Sequence, residues 1–213
     1  ALEAGRKGTD DKNGKFHGIK LEFFTDMAVP VLDYSGNHAR LEIELNHHTV
    51  KVTDSRNYRS QYIRIIGGTL DFCGESAAHN TDIFNLTHVS DFCSKNGIQL
   101  ENVVFQNIAT EKALTQTSSS NSGRLFNITD VGSDGGETLI IRDVTVKDGS
   151  FGDDGGAFNI NKSKANPSVL FENCQFINLS SKGDGGAMGA LMAAMGMGGG
   201  PNPAERLKER LIA

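Results

Sequence analysis

The sequence predicts an all-β protein, a right-handed parallel β-helix (a solenoid of stacked coils) with a short C-terminal α-helix. Three observations predict it. Helix-breaking and turn-forming residues are abundant, including 25 Gly among 213 residues. Short segments that alternate apolar and polar residues follow one another with turns, not helical patterns, between them. Three of these segments also share one eight-residue frame, which is typical of stacked coils.

The first strands are predicted from strict alternation. Residues 41–45 (LEIEL) and 50–52 (VKV) carry an apolar side chain at every second position. Because successive side chains of a strand point to opposite faces, each of these strands has one face toward a core and one toward water. From residue 60 onward further short strands are predicted, at residues 62–66, 69–72, 83–86, 98–105, 125–128 and 139–146.

The shared frame reads apolar, polar, Asn or Asp, small apolar, any, apolar, any, Asn or Asp. Residues 100–107 (LENVVFQN), 141–148 (IRDVTVKD) and 171–178 (FENCQFIN) fit it. Asn and Asp tolerate a left-handed backbone and hydrogen-bond their own turn, so a strand can bend sharply at these positions. We therefore expect the three segments to lie directly over one another, with their bends aligned in ladders.

A second recurrence is Asp-Gly-Gly, at residues 134–136, 154–156 and 184–186. The last two continue as Ala157-Phe158 and Ala187-Met188. Glycine permits positive φ and a close approach of neighbouring backbones. The small Ala that follows is then expected to enter a tight interior corner.

These motifs together resemble the polymorphic outer membrane protein repeat, a Chlamydia-type passenger repeat of the pectate-lyase-like β-helix superfamily. The resemblance is clearest in segment 171–178 with Gly185-Gly186-Ala187-Met188, and in segment 141–148 with Gly155-Gly156-Ala157-Phe158. It covers residues 98–188. It implies a right-handed parallel β-helix that is exposed at a cell surface and acts in adhesion.

The chain divides into a predicted β-helix domain, residues 1–190, and a C-terminal part, residues 191–213. The second part is a Met- and Gly-rich linker followed by a short amphipathic helix. Leu207, Leu211 and Ile212 fall on one face of that helix, a stripe too small to hold an isolated helix together in water. It is predicted to cap the end of the solenoid or to dock on a partner protein.

Three cysteines do not make a disulfide framework. Cys73 and Cys93 occur in similar settings, DFC, twenty residues apart, which is about the length of one coil. They are bridged if they stack on successive coils, or they are buried and unpaired. Cys174 is predicted to be a core residue.

Charge and hydropathy restrict the partners. The formal net charge of -5, with scattered Lys and Arg, argues against a nucleic-acid interface. No apolar run is long enough to span a bilayer. An extracellular or cell-surface location is expected, with an organelle or an assembly compartment as the alternative.

Carboxylates are the candidates for catalysis and for metal binding. Asp153 and Asp154 are adjacent, and with Asp82 they suggest part of a polysaccharide-cleaving site. Asp134, Asp154 and Asp184 suggest an acidic row that could bind calcium, although Asp beside Gly-Gly is usually a turn former. His47 and His48 are predicted to be neighbours on a strand and to point to opposite faces, so they cannot share one ion.

The leading hypothesis is a non-catalytic β-helix module for adhesion or surface binding, which presents a rigid face to a protein or glycan ligand. The second is a scaffolding subunit of a larger assembly, docked through residues 191–213. The third is a polysaccharide lyase or glycoside hydrolase that uses Asp153 or Asp154.

Overall fold

The structure is a computed structural model that describes eleven stretches of the chain. They are residues 3–5, 18–29, 40–53, 58–60, 62–74, 82–86, 97–110, 124–129, 139–152, 156–161 and 169–181.

The described residues form fourteen β-strands and no α-helix, as the all-β prediction requires. The strands are β1 (Glu3–Gly5), β2 (Gly18–Glu22), β3 (Met27–Val29), β4 (Arg40–Glu44), β5 (Thr49–Val52), β6 (Tyr58–Ser60), β7 (Tyr62–Asp71), β8 (Phe84–Leu86), β9 (Gly97–Ala109), β10 (Phe126–Thr129), β11 (Leu139–Phe151), β12 (Phe158–Asn161), β13 (Val169–Glu172) and β14 (Gln175–Ser181).

Two sheets contain these strands. Ten strands form the larger sheet, with the order β1-β2-β4-β7-β9-β11-β13; β3 and β5 and the last strand, β14, pair beside this path. Four strands, in the order β12-β10-β8-β6, form the smaller sheet. Every pairing is parallel except that of β1 with β2. From β6 onward the chain alternates between the two sheets, and each return adds a strand beside the preceding one.

The three framed segments lie side by side in the larger sheet, as predicted. Val144 pairs with Val103 and Val146 with Phe105, while β14 continues the same register on the other side of β11. The backbone bends left-handed at all six Asn and Asp positions of the frame. We call Asn102, Asp143 and Asn173 the first corners, with φ of 54°, 53° and 52°; Asn107, Asp148 and Asn178 are the second corners, with φ of 53°, 54° and 52°.

Side-chain hydrogen bonds join successive corners along the stack. Asn173 donates from Nδ2 to Oδ1 of Asp143 at 3.1 Å, and Asn178 donates to Oδ1 of Asp148 at 2.9 Å. Because the left-handed conformation costs most residues about 1–2 kcal/mol, a side chain that also bonds to its neighbour favours Asn and Asp at these positions. The Asn and Asp positions of the frame therefore mark the residues at which the backbone is left-handed.

The core lies between the two sheets. Phe84, Phe126 and Phe158 stack along the smaller sheet, with ring centroids 4.8 and 5.0 Å apart. Phe105 of the larger sheet meets Phe126 edge-on at 5.4 Å. Such aromatic pairs add about 0.5–1.5 kcal/mol to the free energy of burial, so they hold the sheets face to face.

A fourth copy of the frame occurs in β7, with glycine in place of Asn. Gly67 lies opposite Asn102 and has φ of 69°. A side chain at Gly68 would place its Cβ 2.6 Å from the His48 carbonyl oxygen, so only glycine fits there. The frame predicted from the sequence has Asn or Asp at the corner, so it does not include this copy.

Three further expectations concern the Gly-Gly corner, the C-terminal helix and membrane spans. Gly156 has positive φ and Ala157 is fully buried, which confirms the tight interior corner after Gly-Gly. The predicted C-terminal helix and the linker, residues 191–213, lie outside the described residues. Within the described part of the chain, no helix is long and apolar enough to cross a membrane.

Candidate binding cleft beside the second corners

An open cleft of about 540 Å³ lies beside the ends of four adjacent strands, β5, β7, β9 and β11. Its volume lies within the range of roughly 300–1,000 Å³ that is common for small-ligand sites. Its walls combine an amine, carboxylates, an amide, a thiol and a hydroxyl. The lining residues are Lys51, Asp71, Cys73, Gly74, Asn107, Ile108, Ala109, Asp148 and Ser150.

The cleft lies where the ladder of second corners changes. In β9 the chain turns at Asn107, but the residue opposite it, directly after β7, is Phe72, which is fully buried. The chain turns one residue later there, at Cys73 and Gly74, both with φ of 61°. Because the two turns are out of step, their side chains do not stack as they do between Asp148 and Asn178.

Asp71 takes the place of a corner side chain as the hydrogen-bond partner of Asn107. Its Oδ1 accepts hydrogen bonds from the backbone amide of Cys73 at 2.9 Å and from Nδ2 of Asn107 at 3.0 Å. Its Oδ2 accepts from Nε2 of Gln106 at 3.1 Å. Lys51 is its register partner on the neighbouring strand. Asp71 is only 8% exposed, and each of its carboxylate oxygens accepts at least one hydrogen bond.

The ionised form of Asp71 is the favoured one. Burial acts to raise the pKa of this carboxyl, but the hydrogen bonds from Cys73, Asn107 and Gln106 and the nearby charge of Lys51 outweigh it. The net effect lowers the pKa below its usual value. A general acid in glycoside hydrolysis needs the opposite shift, so Asp71 is suited to holding a fixed negative charge.

The other walls are fixed by bonds to the next strand. Asp148 accepts the hydrogen bond from Asn178, and Ser150 lies 3.2 Å from Ser180, oxygen to oxygen. Burial, and then the charge of Asp71, raise the pKa of the Cys73 thiol, so this thiol stays protonated and is a poor nucleophile. The cleft therefore presents polar groups that are already oriented.

A second polar surface covers the first half of the larger sheet. There Lys20 contacts Glu22 at 2.6 Å and Glu44 at 3.2 Å, and Arg64 contacts Glu44 at 2.8 Å. At the other end of the same sheet, Arg142 of β11 contacts Glu172 of β13 at 2.6 Å. These charges pair with one another, within β2 or between neighbouring strands, so they leave fewer groups for a ligand than the cleft does.

Most of the sequence-predicted site residues lie outside the described residues. Cys93 is among them, so whether it bridges Cys73 stays open. The others are the catalytic candidates, the calcium candidates and the docking stripe. They are Asp134, Asp153, Asp154, Asp184, Leu207, Leu211 and Ile212. In the described ranges, no three His, Cys, Asp or Glu side chains converge in a way that could hold a metal ion.

Asp82 is described, and its surroundings are those of a structural residue. It is 3% exposed, and its Oδ1 accepts a hydrogen bond from the backbone amide of Arg124 at 3.0 Å. Its other oxygen lies 3.8 Å from the Arg124 guanidinium, which is also buried. This buried pair joins the residues just before β8 to those just before the neighbouring strand β10, and it offers no carboxylate to a substrate.

The structure corrects the prediction for two histidines. His47 and His48 do not lie on a strand, because the chain turns at Asn46 and His47 with φ of 48° and 66°. Alternating segments end at Leu45 and begin again at Val50, and the short polar stretch between them carries no Gly or Pro that would mark a turn. His48 contacts Asp26, Nδ1 to Oδ1 at 3.2 Å. A hydrogen bond from the Thr49 amide, and then this contact, lower the pKa of Asp26.

Comparison with known proteins gives no assignment. The chain matches no family model, no curated protein and no solved structure. The resemblance to the polymorphic outer membrane protein repeat therefore stays a prediction from the motifs. The cleft itself was not predicted from the sequence, because its walls come from four strands whose residues are up to 99 positions apart, from Lys51 to Ser150.

Proposed function

We propose that this chain is a non-catalytic binding module, a right-handed parallel β-helix whose cleft binds a hydroxyl-rich ligand such as an oligosaccharide. Support for the β-helix comes from the alternation of the chain between two parallel sheets and from the aligned corners. Each coil then buries its apolar side chains only by stacking on its neighbours.

One observation carries the binding function: a buried, ionised Asp71 is held by three hydrogen-bond donors in the wall of an open polar cleft. Its negative charge fixes the donors around it. The carboxylate of Asp148, the hydroxyl of Ser150 and the amine of Lys51 complete a set that can accept from and donate to hydroxyl groups. Because these groups are oriented before a ligand arrives, little entropy is lost on binding.

The chemistry of the cleft favours binding over hydrolysis. Both glycosidase mechanisms need one carboxyl with a raised pKa to protonate the leaving group. The pKa of Asp71 is lowered, and the Cys73 thiol is held in its protonated form. An extracellular or cell-surface location, where glycans are abundant, is part of the same proposal.

A glycan array, followed by calorimetry with the best ligand, tests the proposal. We expect Lys51→Ala to weaken binding at least about tenfold, which corresponds to about 1.4 kcal/mol. Lys147→Ala is the matched control, since Lys147 lies in the same cross-strand row but does not line the cleft. Absence of glycan binding, equal effects of the two substitutions, or release of shorter sugars from the ligand would each contradict the proposal.

A further inference from the structure

The last described coil, β13 and β14, has an incompletely covered core. Ile141, Val144 and Val146 of the preceding coil are fully buried. Their equivalents, Phe171, Cys174 and Phe176, pack against the core but are only partly buried, and so is Leu179. Burial is thus lost abruptly within one coil.

This coil also ends the larger sheet. Within the described stretches, β13 and β14 pair with β11 on one side and with no strand on the other. An uncovered sheet edge exposes backbone N–H and C=O groups that can pair with another chain, so proteins usually cover such edges. The opposite end of the larger sheet is different, because β1 pairs antiparallel with β2 there and terminates the parallel order.

We propose that residues 182–213 of this same chain pack over the last coil and cover Phe171, Cys174 and Phe176. This segment continues directly from Ser181, the final residue of β14, so it is tethered at the surface it would cover. Its 32 residues (213 minus 181) could extend to about 100 Å, far beyond the width of a coil. Its apolar residues are grouped as Met188 to Met197 and as Leu207, Leu211 and Ile212.

A tethered segment is favoured over a second copy of the chain for two reasons. Tethering gives an effective concentration in the millimolar range, which a separate molecule seldom reaches. A head-to-tail copy would also have to pair with the opposite end of the larger sheet, where β1 already lies antiparallel on β2. The Met residues suit the task, since their flexible side chains fill irregular apolar surfaces.

The Cys174 thiol reports directly on this cover. Its Sγ lies 3.2 Å from the Ile141 carbonyl oxygen, at the partly exposed face of the last coil. Alkylation of Cys174 by iodoacetamide, followed in the full-length chain by mass spectrometry of its peptide, measures how often the thiol is uncovered. Two triple variants are compared with the unaltered chain. One carries Leu207→Ser, Leu211→Ser and Ile212→Ser, and the matched control carries Arg206→Ser, Lys208→Ser and Arg210→Ser.

If residues 182–213 are the cover, alkylation of Cys174 is expected to become at least about tenfold faster in the apolar variant and to stay unchanged in the control. Circular dichroism and the mid-point of thermal unfolding are measured on the same samples, and a local loss of cover leaves the β-sheet signal intact. Equal rates in all three chains would overturn the proposal. A rate that falls as protein concentration rises, with a doubled mass in sedimentation, would also overturn it and identify a second copy as the cover.

Discussion

Two neighbouring copies of the frame, one in β11 and one in β13 and β14, have the same local conformation but different surroundings. Segment 141–148 and segment 171–178 bend at equivalent corners with φ values within 2° of each other. The apolar positions of the first are fully buried, whereas those of the second are only partly buried. The frame therefore sets the path of the backbone, whereas the burial of its apolar side chains depends on the strands that lie beside it. Substitutions should separate these two contributions.

The largest difference is expected from removing a core ring. Phe105→Ala should lower the free energy of unfolding by about 3–5 kcal/mol, because this ring is fully buried against Phe84 and Phe126 and its loss leaves a cavity. In a chain that also carries Leu207→Ser, Leu211→Ser and Ile212→Ser, and so lacks the proposed cover, Phe176→Ala should cost about 1–2 kcal/mol, since a partly exposed ring gives up less apolar area. Denaturant unfolding measures both losses, and equal losses would show that Phe176 is as well buried as Phe105 without that cover.

Ion pairs should show the same contrast. Asp82→Ala removes the carboxylate that lies 3.8 Å from the buried Arg124 guanidinium, and removing one partner of a buried pair costs about 3–5 kcal/mol. Glu172→Ala removes an exposed contact with Arg142 and should change the mid-point of thermal unfolding very little. A large effect at Glu172 would mean that the end of the stack is much less exposed to water than its geometry indicates.

Corner substitutions should cost the same in both coils. Asp143→Ala and Asn173→Ala each force an Ala into left-handed backbone, at a cost of about 1–2 kcal/mol. Asp143→Gly and Asn173→Gly are the matched controls, and they should be milder because Gly adopts positive φ without steric penalty. Equal free energies of unfolding for the Ala and Gly variants at either position would contradict the left-handed bends at Asp143 and Asn173.

The smallest expected effect is on the pH dependence of stability. The folded pKa of Asp71 lies below the ordinary value of about 3.9, so its stabilising contribution is present above that pH and is lost as the pH falls through the lower folded pKa. Asp71→Asn should therefore reduce stability at pH 7 and converge with the unaltered chain in acid. If the free energies of unfolding of the two chains differ by a constant amount from pH 7 to pH 2, folding does not lower the pKa of Asp71.

Sequence patterns predicted the parts of the fold that depend on local conformation. The left-handed corners at Asn102 and Asp143 and the alternation of Leu41 to Leu45 are of this kind, since each is set by the residue itself. The turn at His47 is predicted as part of a strand because alternating apolar residues lie on both sides of it, at residues 41–45 and 50–52. The displaced turn at Cys73 has no sequence signal, because Phe72 occupies the corner position of the frame and only packing shows that it is buried.

Nuclear Overhauser contacts in an isotope-labelled chain show whether the framed segments lie over one another in one register. We expect inter-strand contacts that pair Val103 with Val144 and Phe105 with Val146, together with a left-handed backbone at Asn102 and Asp143. Contacts that shift Val103 by one or more residues along β11, or that place it in a different sheet from Val144, would contradict this register.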